Sequence, residues 1–306
     1  MKKYLCLLMA LLLVLPLFAT AEENTQEVPM ITLHKNVTVP LDSEYVDMGE
    51  NRLGSDQFDK FIEKLQSMPN LKKVDMFASP VWKSHIEKFA AALPHVEFGW
   101  TMRFAEHTIR TDTTAFSTLH NNKSETHSSH HWTILKYCKN LVALDLGHNK
   151  IDDLSFIQDL PSLKVLILAC NYIVDISPLA SHPELEYIEL FKNKIRDISV
   201  LETMPNLIDL NLCYNYVEDY SPLYNMTQLE RLWIYNSNNY MDSKPVPAEI
   251  VEGLKEALPN THIDYKNYST GGGWREHDRY FVIYDMFKNS TYIPFASSET
   301  NVTEAE

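Results

Sequence analysis

The stretches LVALDLGHNKI (residues 141–151), LKVLILACNYI (163–173), LEYIELFKNKI (185–195) and LIDLNLCYNYV (207–217) repeat one pattern every 22 residues. Leu141, Leu163, Leu185, Leu207 and Leu229 open the copies. Leu144, Leu166, Ile188, Leu210 and Leu232 follow three residues on, then Leu146, Leu168, Leu190, Leu212 and Ile234. The fifth copy fails only near its end, where Ser237 replaces the asparagine. Apolar residues two apart face one side of a short strand, and the residues between them face the other. A single coil cannot bury its leucines, so neighbours must stack and share a parallel sheet. Asn149, Asn171, Asn193 and Asn215 fall where the chain turns inward after each strand. A buried amide there satisfies backbone groups that the turn leaves unpaired, and each is worth roughly 1–3 kcal/mol.

The other half of each coil is equally regular. Asp153, Asp175, Asp197 and Asp219 precede Ser155, Ser177, Ser199 and Ser221 by two residues. Ser177-Pro178-Leu179 and Ser221-Pro222-Leu223 read as caps opening one tight helical turn. A 22-residue coil has no room for a full α-helix, which predicts 3₁₀ turns on the convex side. The aspartates read as local turn caps rather than a calcium array.

Upstream the units lengthen. Val46-Asp47-Met48 recurs 28 residues later as Val74-Asp75-Met76, and Phe58, Phe61 and Leu65 recur as Ile86, Phe89 and Leu93. Their helical spacing predicts convex α-helices in the N-terminal region, 22–100, with a third strand at Val96–Trp100. Residues 101–135 break the period; rich in Thr, Ser, Asn and His, they read as a polar insertion ahead of the 22-residue repeats at 136–240. Val251, Leu254 and Leu258 predict a helical closing repeat over 241–268. Gly271-Gly272-Gly273 then leads into an aromatic segment within 269–306 that could pack back as a cap.

Hydrophobic residues at 45% and charged residues at 22% are ordinary globular proportions, against wholesale disorder. Lys2 and Lys3, the uncharged run Leu5–Phe18 and Ala19-Thr20-Ala21 read as a signal peptide over 1–21, too short to span a bilayer. Its removal would leave 25 basic against 41 acidic residues, a charge of −16. That balance disfavours nucleic acid, whose binders need Lys and Arg to displace counterions. Nothing in the mature chain calls for membrane insertion; it is expected to be secreted or associated with the cell envelope. Cys138, Cys170 and Cys213 are expected as three free thiols, since the repeat register sets Cys170 and Cys213 roughly 10 Å apart, beyond the reach of a disulfide.

At these residues the chain resembles the secreted leucine-rich-repeat proteins of bacteria, of which the internalins are the best-known branch. The resemblance is strong over about 141–236 and looser over 44–100. It implies an α/β solenoid, a horseshoe with a parallel concave sheet, 3₁₀ turns behind the 22-residue repeats and α-helices in the longer terminal ones. It also implies macromolecular binding on the concave sheet. No immunoglobulin-like domain or sorting motif follows the repeats, so host-cell invasion is not part of the expectation.

The outward strand positions gather Tyr187, Phe191, Tyr214, Trp233 and Tyr235 beside Glu189, Asp209 and Arg231 in the last three coils. Exposed Tyr, Trp and Arg on a rigid sheet are the makings of a binding hot spot, and these eight residues are the expected partner-binding site. Cover by the chain's own C-terminal segment is the competing reading. The partner is expected to be a protein, with a glycan as the alternative. His120, His127, His130 and His131, with His107 nearby, could offer imidazoles to a metal. With no Cys and only Glu125 close by, they read instead as a solvated loop, so no metal or cofactor is expected. Motifs of the H-E-x-x-H, G-x-S-x-G, C-x-x-C and P-loop kinds are absent from the sequence. A non-enzymatic scaffold is therefore expected, with an enzyme centred on 101–135 the least favoured rival.

Overall fold

The structure, a computed structural model, describes residues 28–104, 106–119, 126–236 and 244–296. The expected signal peptide, His120, Glu125 and Ser237 lie outside the described residues. Strands β1 (Met30–His34) and β2 (Val37–Pro40) form an antiparallel hairpin. It buries Leu33 and Val37 in the main core, and Lys64 of the first helix donates to the carbonyls of Thr32 and Leu33.

Three parallel strands follow: β3 (Tyr45–Asp47), β4 (Lys73–Trp82) and β5 (Glu97–Phe104). The 28-residue echo sets their register, with Val46 opposite Val74 and Val74 opposite Phe98. Helices α1 (Phe58–Gln66) and α2 (Lys83–Ala92) occupy the convex side, burying Phe58, Phe61, Ile62 and Leu65 against Ile86 and Phe89. Strand β6 (His107–Arg110) then folds back antiparallel on β5.

The second sheet has seven parallel strands in sequence order: β7 (Ala115–Ser117), β8 (Ala143–Asp145), β9 (Val165–Ile167), β10 (Tyr187–Glu189), β11 (Asp209–Asn211), β12 (Arg231–Trp233) and β13 (His262–Asp264). Leu144, Leu166, Ile188, Leu210 and Leu232 stand in register across β8–β12, and all are fully buried. This continuous apolar spine is the reason the coils stack. The convex side carries 3₁₀ turns at Ser155–Asp159, Ser177–Ser181, Ser199–Thr203 and Ser221–Leu223. At each turn the aspartate two residues before the serine accepts its backbone N–H at 2.8 Å. These carboxylates serve as local caps.

The asparagine ladder works by a shared rule. Each Nδ2 donates to the carbonyl of its own strand end, and those of Asn171, Asn193 and Asn215 also reach the coil before. Each Oδ1 accepts a backbone N–H of the preceding coil, from His127, Ile151, Ile173 and Ile195 in turn. In the fifth copy Asn236 takes over, accepting from the N–H of Asn215 at 3.1 Å.

Residues 101–135 differ from the expected insertion. They complete β5, form β6 and supply β7, whose Phe116 lies in register with Leu144. The sheet therefore starts one coil early, with phenylalanine in place of the leucine that marks the later coils. Helix α3 (Ser129–Trp132) and a 3₁₀ turn at Thr133–Tyr137 lead into the repeats. Helix α4 (Ala248–Ala257) backs β13, and α5 (Asp278–Asn289) crosses to the concave side. Among the described residues no helix is long and apolar enough to cross a membrane.

Candidate functional site

The concave wall of the seven-stranded sheet is not open. A second apolar core lies on that side, formed by Ala115, Ala143, Val165, Ile167, Tyr187 and Trp233 of the wall with Trp274, Ile283, Met286 and Phe287 of the C-terminal segment. The first four wall residues are small or aliphatic, which lets the helix approach. Gly273, at φ +104°, carries the chain over the wall, where an added Cβ would stand 3.4 Å from the Trp233 ring. The far end of the segment is tied down where Thr113 donates to the Ser290 carbonyl at 2.7 Å and the Tyr292 N–H donates to Thr114 Oγ1 at 2.7 Å.

Ionic groups fill the centre. Arg231 and Arg279 both embrace the Asp209 carboxylate, each with two N–H groups at 2.8–3.0 Å. Arg279 also reaches Glu230 at 2.5 Å. Glu189 accepts from the Trp274 indole at 2.9 Å and from Arg275 at 2.7 Å. The Arg231 guanidinium lies 4.4 Å above the Trp274 ring and donates to the Trp274 carbonyl. Three arginines thus meet three carboxylates. Burial alone would lower the Arg275 guanidinium, but the Glu189 carboxylate beside it, with Tyr280 and Tyr187, raises it instead. Burial raises the Tyr187 phenol well above its ordinary value. Burial also pushes Asp145 up to about 6, against the opposing hydrogen bonds from the Gly147 N–H and Ser117.

Six of the eight residues expected as an exposed site are accordingly buried: Tyr187, Glu189, Phe191, Asp209, Arg231 and Trp233. The expected open patch is corrected on this point, because the arginines and apolar stripe of the C-terminal segment complement those wall columns. Tyr214 and Tyr235 remain half-buried on the rim where the strands end. They continue an edge-to-face aromatic ladder from Phe191, with ring centroids 5.4 and 5.3 Å apart. Lys192 lies over both the Phe191 and Tyr214 rings. The rim column His148, Cys170, Lys192 and Tyr214 has a recurrent feature that sequence reasoning missed: all four adopt left-handed backbone, φ 56–58°, without a glycine among them.

Two recesses accompany the wall. A cavity of about 740 Å³ opens between β12, β13 and the cover, lined by Arg231, Trp233, Asn260, His262, Asp264 and Asn267 among others. On the N-terminal sheet, a notch of about 290 Å³ is bordered by Lys73, Asp75, Phe77 and Gly99. Here Tyr45, half exposed, donates to Asp75 Oδ2 at 2.9 Å, and that hydrogen bond raises the phenol to about 12.

The histidines divide. His130 and His131 are exposed on α3, but His127 is buried and His107 more deeply so. Both turn their Nε2 to the Glu106 carboxylate: His127 at 2.8 and 2.9 Å from its two oxygens, His107 at 3.3 Å. Glu106 was not foreseen, because only the β5–β6 turn brings it to His127. Burial pushes its carboxyl up, yet the His127 hydrogen bond, a backbone bond and the two imidazoles hold it below the ordinary value. Cys138, Cys170 and Cys213 are free thiols.

A family model described as Leucine Rich repeats (2 copies) matches residues 139–181 and 161–203. No curated protein matches the chain. Among solved structures, internalin C2 of Listeria monocytogenes is 21% identical, covering 60% of this chain and 84% of that one, with a TM-score of 0.35. A second Listeria monocytogenes internalin, inlF, is 17% identical over 74% and 76% of the two chains, with a TM-score of 0.33. A leucine-rich-repeat protein of Leptospira interrogans is 15% identical over 66% and 74%, with a TM-score of 0.36.

Proposed function

Taking the chain as a leucine-rich-repeat solenoid, we infer that it is an exported, non-enzymatic scaffold that binds a protein partner along the strand-exit rim beside its covered wall. The observation that carries this reading is the pair Tyr214 and Tyr235, half open to solvent and stacked edge to face in a ladder that starts from the buried Phe191 on a parallel sheet. Aromatic side chains held edge to face supply contact area with little rotamer freedom left to lose, which suits a hot spot. Export is supported by the basic start and the hydrophobic run of the first 21 residues. The acid excess would select against anionic surfaces.

A Tyr214→Ala, Tyr235→Ala double variant tests the reading by crosslinking capture from cell-surface extract. A protein band retained by the parent and lost from a folded double variant supports it; the same bands on both remove the rim from consideration. A glycan is the second reading, favoured by the 740 Å³ cavity with Asn260, Asn267, His262 and Asp264 in its lining. A glycan array that lights up for the double variant as for the parent would point there.

A further inference from the structure

We propose that Glu106, His107 and His127 form a binding site for one divalent transition-metal ion of the zinc class, clamping the β5–β6 turn to the first coil of the repeats. One ligand atom from each residue lies within 4.8 Å of the others. A tetrahedral zinc ion with bonds of 2.0–2.2 Å needs ligand atoms about 3.4 Å apart. The carboxylate-to-imidazole separations of 2.8–3.3 Å lie close to that, so the site closes around an ion with small side-chain movements. Two imidazoles and one carboxylate form a borderline donor set suited to zinc rather than to calcium or magnesium, which take oxygen ligands. Three protein ligands leave a fourth position for water.

The surroundings favour retention of the ion. His107 packs against Phe104, Phe116 and Trp132, with ring centroids 5.7–6.0 Å away, and His127 packs against the same Trp132 at 5.8 Å. Such walls exclude water and strengthen charge interactions inside them. They also hold both imidazoles in place before the ion arrives. The location gives the clamp a purpose. His107 opens β6, the last strand of the N-terminal sheet, and Glu106 precedes it in the β5–β6 turn. His127 donates its backbone N–H to Asn149, the first asparagine of the ladder, and accepts from the Lys150 N–H. An ion bound here would join the two sheets, which share no strand pairing among the described residues.

The test uses tag-free protein, with Co²⁺ as the optical probe and Zn²⁺ as competitor. The expected result is one equivalent of Co²⁺, with the visible absorption of a four-coordinate ion, displaced by one equivalent of Zn²⁺. Glu106→Gln and His127→Gln should each weaken binding at least about tenfold, since loss of even an outer-shell partner costs 10–100-fold. If His127→Gln fails to fold by circular dichroism, the near-isosteric Glu106→Gln carries the comparison alone. Absence of stoichiometric binding by the parent overturns the proposal. So does binding that survives Glu106→Gln but disappears in His130→Asn, His131→Asn, since the ion would then sit on the exposed histidines of α3.

Discussion

Replacing Trp274 by alanine probes the cover where its apolar and ionic parts meet. The side chain is fully buried, touches Tyr187 and Trp233, lies under Arg231 and donates its indole N–H to Glu189. Truncating a buried tryptophan costs about 3–5 kcal/mol. The upper part of that range applies, because Glu189 stays buried with Arg275 as its remaining donor from the cover. The loss should fall on the cover alone, since the leucine spine belongs to a separate core that Trp274 does not touch. Local opening of α5 then becomes cheaper by at least about 3 kcal/mol, so its amides exchange at least about a hundredfold faster, at 1.4 kcal/mol per tenfold. Amides of β8–β11 should stay protected. Hydrogen exchange read by mass spectrometry resolves the two regions, and Phe281→Ala, on the exposed face of α5, serves as the control. Unchanged exchange in α5 would mean that the indole does not hold the cover and that the wall stands open. Equal acceleration in α5 and the spine would refute the separation into two cores.

Asp145→Asn should stabilise the protein at neutral pH and not in acid. A carboxyl held at about 6 in the fold against 3.8 in the open chain stabilises fully below pH 4 and loses that contribution as pH rises through 6. The gain of the variant at pH 7.5 should be on the order of 3 kcal/mol, vanishing near pH 3.5, and urea melts at the two values would show it. Equal stabilities at both would remove the buried charge from the account. Asn193→Ala leaves the Ile173 N–H without its acceptor and takes one of two side-chain donors from the Leu168 and Leu190 carbonyls, which keep Asn171 and Asn215, and should cost roughly 1–3 kcal/mol in the same melts. Thiol labelling of the folded protein should modify Cys170 alone among Cys138, Cys170 and Cys213. Burial of Cys138 and Cys213 raises both thiols far above their ordinary value, Cys138 to about 12. Rapid reaction at all three would contradict the register.

The spine and the ladder were legible because each rests on a residue type recurring at one spacing, and stacking leaves such residues one place to go. The first coil was not: Phe116 fills the leucine position without the flanking pattern, so a strand of the sheet read as insertion. The cover was half legible. Arg279, Ile283 and Phe287 fall four apart, a single stripe of α5 with Arg275 just ahead of it, and the wall columns hold Glu189 two coils and Asp209 three coils from β8. What no periodicity supplies is the long-range match between them, since Glu189 and Trp274 are 85 residues apart. The same limit hid Glu106 from His127, which meet only after β6 has doubled back.

A closed wall does not remove the reason for building rim residues with care. His148, Cys170, Lys192 and Tyr214 hold left-handed backbone at about +57°, where a residue with a Cβ gives up roughly 1–2 kcal/mol. Each is followed directly by a ladder asparagine whose buried hydrogen bonds fix the turn and offset that cost. The consequence is a column of unlike side chains, one per coil, on backbone that cannot relax. Binding then has less ordering entropy to overcome than it would at a loop of the same composition. The ladder and the rim are therefore one device: replacing Asn193 should loosen Lys192 and the aromatic contacts beneath it, and weaken partner capture beyond what the lost stability alone explains.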